Sequence, residues 1–163
     1  MLIEQPVEPL VTPRLFEQIL GANGNLVALR VADIALVVAQ FRQASLRSGQ
    51  AIYLWQPETG VVSLRDSEVR VPGGRHLSDA LQHVLHSIHF GIYLLTGFEN
   101  QLNATSLRLL RRIARIRAGN NRKLVFLAAD FGFTEEIDDA IEYLALHPVS
   151  THTPRLRDGR WVT

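Results

Sequence analysis

Glu99 and its neighbours are the residues of this chain best suited to chemistry. Gly91-Ile-Tyr-Leu-Leu-Thr-Gly-Phe-Glu-Asn100 is an apolar run of strand length that ends on a small residue, an aromatic ring and a carboxylate. In phosphoryl transfer an acid at a strand end holds Mg²⁺ and polarises water. It works opposite a glycine-rich loop, G-x-x-x-x-G-K-[ST], whose amides and lysine cradle the phosphates. That loop does not occur here. The segment after the first strand reads Arg30-Val-Ala-Asp-Ile-Ala. Without glycines its backbone cannot wrap a pyrophosphate, and Val31 brings a branched side chain where the turn must be tight. The chain's one lysine, Lys123, falls at the start of a different strand. The scaffold of a nucleotide site is present without its catalytic inventory, so no ATP hydrolysis and no cofactor are expected. Arg30, Asp33, Phe98 and Glu99 remain as a vestigial site on the carboxyl edge of the sheet. Such an edge is where ligands of open α/β sheets bind.

A second group lies on the helix that follows Asn103. At about 100° per residue, Arg108, Arg111, Arg112 and Arg115 fall within an arc of about 100°. Four guanidinium groups on one stripe suit an acidic protein surface, a phosphodiester backbone or a cyclic dinucleotide. The plainer alternative is a solvated face with local ion pairs, each worth little. No aromatic residue interleaves with these arginines to stack bases, which argues against nucleic acid.

Other constellations are weaker. His83, His86 and His89 are spaced i, i+3, i+6 with Asp79 before them. They fan over the polar face of a helix and read as ordinary surface histidines, not as a metal site. No G-x-S-x-G anchors a nucleophilic triad. Asp138 and Asp139 read as solvated charge, and Trp55 and Phe98 as core or edge aromatics.

With 163 residues the chain suits one domain, and with 47% hydrophobic and 20% charged residues it has the composition of a globular protein. No apolar run reaches the roughly 18–20 residues of a membrane span, and the N-terminus lacks the pattern of a secretory signal. With no cysteine there are no disulfides or thiolate metal sites, which leaves the compartment open; a cytoplasmic location is expected from the lack of an export signal. The net charge is +1, from 17 basic and 16 acidic residues, too small to imply nucleic acid by itself. Sixteen of the basic residues are arginine.

Residues 1–24 read as a proline-containing arm and a short helix over Leu15–Leu20. Residues 25–163 read as a single α/β domain. Strands are expected at Leu26–Val31, Ala51–Trp55, Val61–Leu64, Ile92–Leu95 and Lys123–Ala128. Pro57-Glu-Thr-Gly60 makes a hairpin turn between the second and third of these. Helices are expected over Asp33–Ser48, about Ser78–His89, about Ala104–Ala118, and from Thr134 to Leu146, the last with acids in its first turn. The tail, 148–163, suggests short extended pieces around an Asp158-Gly159 turn. Strands apolar on both faces that alternate with helices indicate a mainly parallel sheet covered on both sides. The fold class is therefore an α/β, doubly wound α-β-α three-layer sandwich with a mainly parallel sheet, which the acid-ended strand likens to a P-loop NTPase with no Walker A loop.

Certain blocks in this order carry a family resemblance. They are Ile52-Tyr-Leu-Trp55, Val61-Val-Ser-Leu64, the strand at Gly91-Ile-Tyr-Leu-Leu-Thr-Gly-Phe-Glu-Asn-Gln-Leu102, the arginine-rich helix, and Asn121-Arg-Lys-Leu-Val-Phe-Leu-Ala128. The chain resembles the N-terminal domain of a family of bacterial, cyanobacterial and plastid-encoded AAA ATPases, over roughly Leu26–Val149. The resemblance implies a degenerate RecA-like domain whose family keeps ATPase activity in a separate C-terminal module. It implies a non-catalytic regulatory or docking role, a protein partner, and room for homo-oligomerisation. A nucleotide or cyclic-dinucleotide sensor at the carboxyl edge is the alternative, and a hydrolase too degenerate to recognise is a third.

Overall fold

The computed structural model describes residues 9–66, 68–71, 74–87, 90–117, 122–146, 155–157 and 160–162. Thr12 opens the first helix, α1 (Pro13–Leu20): its hydroxyl accepts from the Leu15 amide, and Pro13 occupies the first turn, where a missing N–H costs nothing. Strand β1 (Leu26–Arg30) is buried on both faces up to Arg30. Asp33 caps α2 (Ile34–Ser48), which closes on Gly49 at φ 74°. Strands β2 (Ile52–Gln56) and β3 (Gly60–Ser63) form the expected hairpin. Helix α3 (Leu77–His86) leads to β4 (Gly91–Leu95), and α4 (Ala104–Ala114) to β5 (Arg122–Ala128). A short α5 (Glu135–Asp138) is followed by β6 (Ile141–Leu144). In the tail, β7 (Arg155–Arg157) pairs antiparallel with β8 (Arg160–Val162), and the expected turn residues between them lie outside the described residues.

The six-stranded sheet has the order β3-β2-β4-β5-β1-β6, parallel except for β3 at one edge. This is the expected α/β three-layer sandwich. Strand parity sorts the core into two layers. Leu26, Ala28, Leu124, Phe126, Tyr93 and Leu95 face α3 and α4 through Leu81, Val84, Leu110 and Ile113. Val27, Leu29, Val125, Leu127, Ile92 and Leu94 face α1 and α2 through Leu15, Ile19, Val37 and Phe41.

One expected element is corrected. The helix from Thr134 to Leu146 is a single turn followed by a strand, and Thr134 makes no side-chain cap hydrogen bond. The acids and the i, i+4 pair Ile137 and Ile141 mimic an amphipathic helix locally. Parallel pairing of Ile141 with Leu26 and Tyr143 with Ala28 satisfies the outer edge of β1, and that non-local gain decides the conformation.

Candidate functional site

The carboxyl edge of the sheet comes first, because the winding of the chain reverses there. The connection from β1 leads towards β2, whereas that from β5 crosses β1 to reach β6, so the switch point lies between β1 and β5. The link between β1 and α2 is only Val31-Ala-Asp33. Its first amide and the ends of the first helical turn have partners within the fold. Val31 donates to Ala128 O at 2.8 Å, Val37 to Asp33 O at 3.2 Å, and Leu36 to the Asp33 carboxylate at 3.1 Å. Asp33 is thus a helix cap, and its carboxylate sits at the helix N-terminus where an anion would otherwise go.

Arg30 and Glu99 are both exposed, Arg30 at the end of β1 and Glu99 opening a 3₁₀ turn after β4. Phe98 is different: it is 2% exposed and therefore is core, not contact surface. Its ring meets Phe126 edge-on at 5.0 Å and stacks on Phe133 at 6.0 Å. Phe131 stacks on Phe133 and meets Tyr143 edge-on. The phenylalanines of this aromatic group belong to the core cluster on the α3 and α4 side of the sheet. The Tyr143 hydroxyl donates to Asp138. Withdrawal of that hydroxyl from water and the Asp138 carboxylate push its pKa up to about 12, against a smaller opposing effect of Arg30.

Lys123 cannot serve this edge, because it stands at the amino end of β5. Its ammonium donates to Ala22 O at 2.8 Å and Gly24 O at 2.7 Å. Burial holds its pKa below the ordinary lysine value, partly offset by Glu142. Arg122 beside it donates to the carbonyls of Val84, Leu85 and Ser87 and so closes the C-terminus of α3. Asn25 does the same for α4 through Ile113 O and Ile116 O. These structural roles were not read from sequence. A basic pair, Arg122-Lys123, opening an otherwise apolar strand is the signal that could have found the first two.

Helix α4 carries the arginine stripe. Asn103 starts it by accepting from the Ser106 amide. Ser106, Leu109, Leu110 and Ile113 face inward. Arg108, Arg112 and Arg115 are exposed, and Arg111 is half-buried. Arg111 donates to Glu136 of α5 at 3.0 Å. The stripe is brought together on one outward face, and the acidic α5 lies directly beside it, which sequence reasoning did not anticipate.

Of His83, His86 and His89, the first two lie among the described residues, in different settings. His83 is half-buried against the Tyr93 ring, with its pKa lowered by burial. His86 is exposed and paired with Gln82 O, and His89 lies outside the described residues. Among the described residues no group of three ligating side chains comes together, and no helix is long and apolar enough to cross a membrane. A cleft of about 390 Å³ between α1 and the end of α2, lined by Val11, Phe16, Leu20, Ala44 and Arg47, was also not foreseen.

No characterised protein and no solved structure matches the chain. A family model does: the N-terminal domain of SpoVK-like AAA ATPases matches residues 12–146, from the cap of α1 through β6. The match takes in the whole six-stranded sheet and both helical layers, and it concerns an N-terminal domain, not a catalytic ATPase module. The chain belongs to the family of SpoVK-like AAA ATPase N-terminal domains.

Proposed function

We propose that this domain is a non-catalytic regulatory module of a bacterial cytoplasmic system that works by docking to protein. The outward arginine face of α4 carries this reading. Arg108, Arg112 and Arg115 project into solvent from a helix whose other side is locked in the core. Guanidinium forks in that setting pair bidentately with carboxylates. Membership in a family of N-terminal domains attached to AAA ATPases supports an adaptor role.

Three observations weigh against hydrolysis and against nucleotide sensing at the carboxyl edge. The Asp33 carboxylate already occupies the N-terminus of α2, the link carries no glycine, and Phe98 is buried against Phe126 and Phe133. Calorimetry against a panel of nucleotides and cyclic dinucleotides at low salt is therefore expected to show no heat of binding. Saturable binding would favour the sensor reading instead. Phosphate release from ATP is expected at the buffer level, and turnover lost in Glu99→Gln would overturn the non-catalytic assignment.

The docking reading is tested with the full chain as bait. Wild type and the Arg108→Glu, Arg111→Glu, Arg112→Glu, Arg115→Glu variant are compared for capture of partners, followed by titration of each purified partner. Loss of titratable binding in the variant is expected. A partner that binds both forms equally would remove α4 from the interface.

A further inference from the structure

The arginine face of α4 does not stand alone. The Arg111–Glu136 contact at 3.0 Å is the seam between two oppositely charged patches in one layer of the sandwich. On one side are the exposed Arg108, Arg112 and Arg115, and on the other the exposed Glu135, Glu136 and Asp139. Tyr143 adds a ring that is 48% exposed, beside Phe131 and bonded to Asp138. It belongs to the same layer, because Ile141, two residues before it on β6, packs in the core cluster of α3 and α4.

We propose that this face is self-complementary, and that the occupant of the α4 stripe is the α5 patch of a second copy of the chain. A two-fold axis near the Arg111–Glu136 seam sets each arginine patch over the other copy's carboxylates. It makes the same contact twice and closes the assembly as a dimer. Adjacency of the patches decides this against a head-to-tail chain, which would need them on opposite sides of the molecule. Carboxylates and an exposed aromatic ring offer the incoming guanidinium groups bidentate and cation–π partners. Exposed ion pairs are individually weak, so the dimer is salt-sensitive and exchanges readily. This inference rests on the docking assignment of α4 and names its partner.

The test is sedimentation velocity of the full chain over a concentration series, at about 50 mM and about 500 mM NaCl. Wild type is expected to dimerise at low salt, with self-association at least about tenfold weaker at high salt. An all-acidic variant (Arg108→Glu, Arg112→Glu, Arg115→Glu) and an all-basic variant (Glu135→Arg, Glu136→Arg, Asp139→Arg) are each expected to be monomeric. Mixed in equal amounts they are expected to restore a 1:1 dimer, an outcome that damaged folding could not produce. Circular dichroism confirms the fold of each variant.

A wild type that stays monomeric at low salt overturns the proposal, as does a dimer that both reversals leave intact. If the wild type is monomeric yet loses an acidic protein partner on arginine reversal, the docking reading stands and only self-recognition falls. If the arginines affect neither, both fall.

Discussion

Lys123 donates its ammonium to the carbonyl oxygen of Gly24 at 2.7 Å, tying the start of β5 to the loop that enters β1. The same group holds Ala22 O at 2.8 Å. Lysine at this position is therefore a clamp at the amino edge of the sheet, at the end opposite Glu99.

Replacing Lys123 with Met keeps the volume of the stem and removes the donor. Two carbonyls are then left without their partner, and removing a charged donor from such a site costs about 2–3 kcal/mol. For a chain of this size the melting temperature should fall by roughly 4–12 °C. Thermal unfolding followed by circular dichroism measures it. An unchanged midpoint would mean that water replaces the ammonium without loss.

Trp55 is 1% exposed, and its indole N–H donates to Gly74 O at 2.5 Å. This bond fastens the loop before α3 to the β2–β3 hairpin. Trp55→Phe retains most of the apolar burial and deletes the donor, so the expected loss is about 1–3 kcal/mol. Urea unfolding should show a lower midpoint with an unchanged slope, because the exposed area barely alters.

Much of this architecture is legible in the sequence, for a physical reason. Strand β1 up to Arg30, β4 throughout and β5 from Leu124 onward carry buried apolar residues on both faces, a pattern that a central parallel strand needs. The arginine stripe is legible because helical angles follow from spacing alone. Residues whose state depends on distant partners are not. Ile141 to Leu144 has local signals of a helix and becomes a strand because β1 needs an outer neighbour. Phe98 reads equally well as an edge aromatic, and it is buried by residues distant in sequence, Phe126 and Phe133 among them. The acidic neighbour of the stripe follows from how α5 lands beside α4, which no local pattern encodes.

Two glycines separate conformational strain from steric exclusion. Gly49 has φ 74° with open space where a Cβ would sit. Gly60 has φ 73°, and its Cβ would lie 3.0 Å from the backbone carbon of Gly74. Gly49→Ala should cost about 1 kcal/mol, the left-handed penalty alone. Gly60→Ala should cost measurably more, since backbone has to move around the Trp55 bond. Equal midpoints in urea would show that the hairpin relaxes freely.

His83 gives the fold a dependence on pH. Its ring is half-buried against Tyr93, and burial lowers its pKa from the ordinary histidine value of 6.5. Below that value the unfolded chain takes up the proton more readily than the folded one. The proton therefore favours unfolding, and this contribution to stability is lost as pH falls from 6.5 through the lower folded pKa. Carboxylates also titrate in acid, so the comparison has to be with His83→Gln. Urea unfolding from about pH 7.5 to about pH 5.5 should show a steeper loss of stability in wild type than in the variant. Parallel profiles would mean that the imidazole is hydrated equally in both states, and that Tyr93 does not shield it.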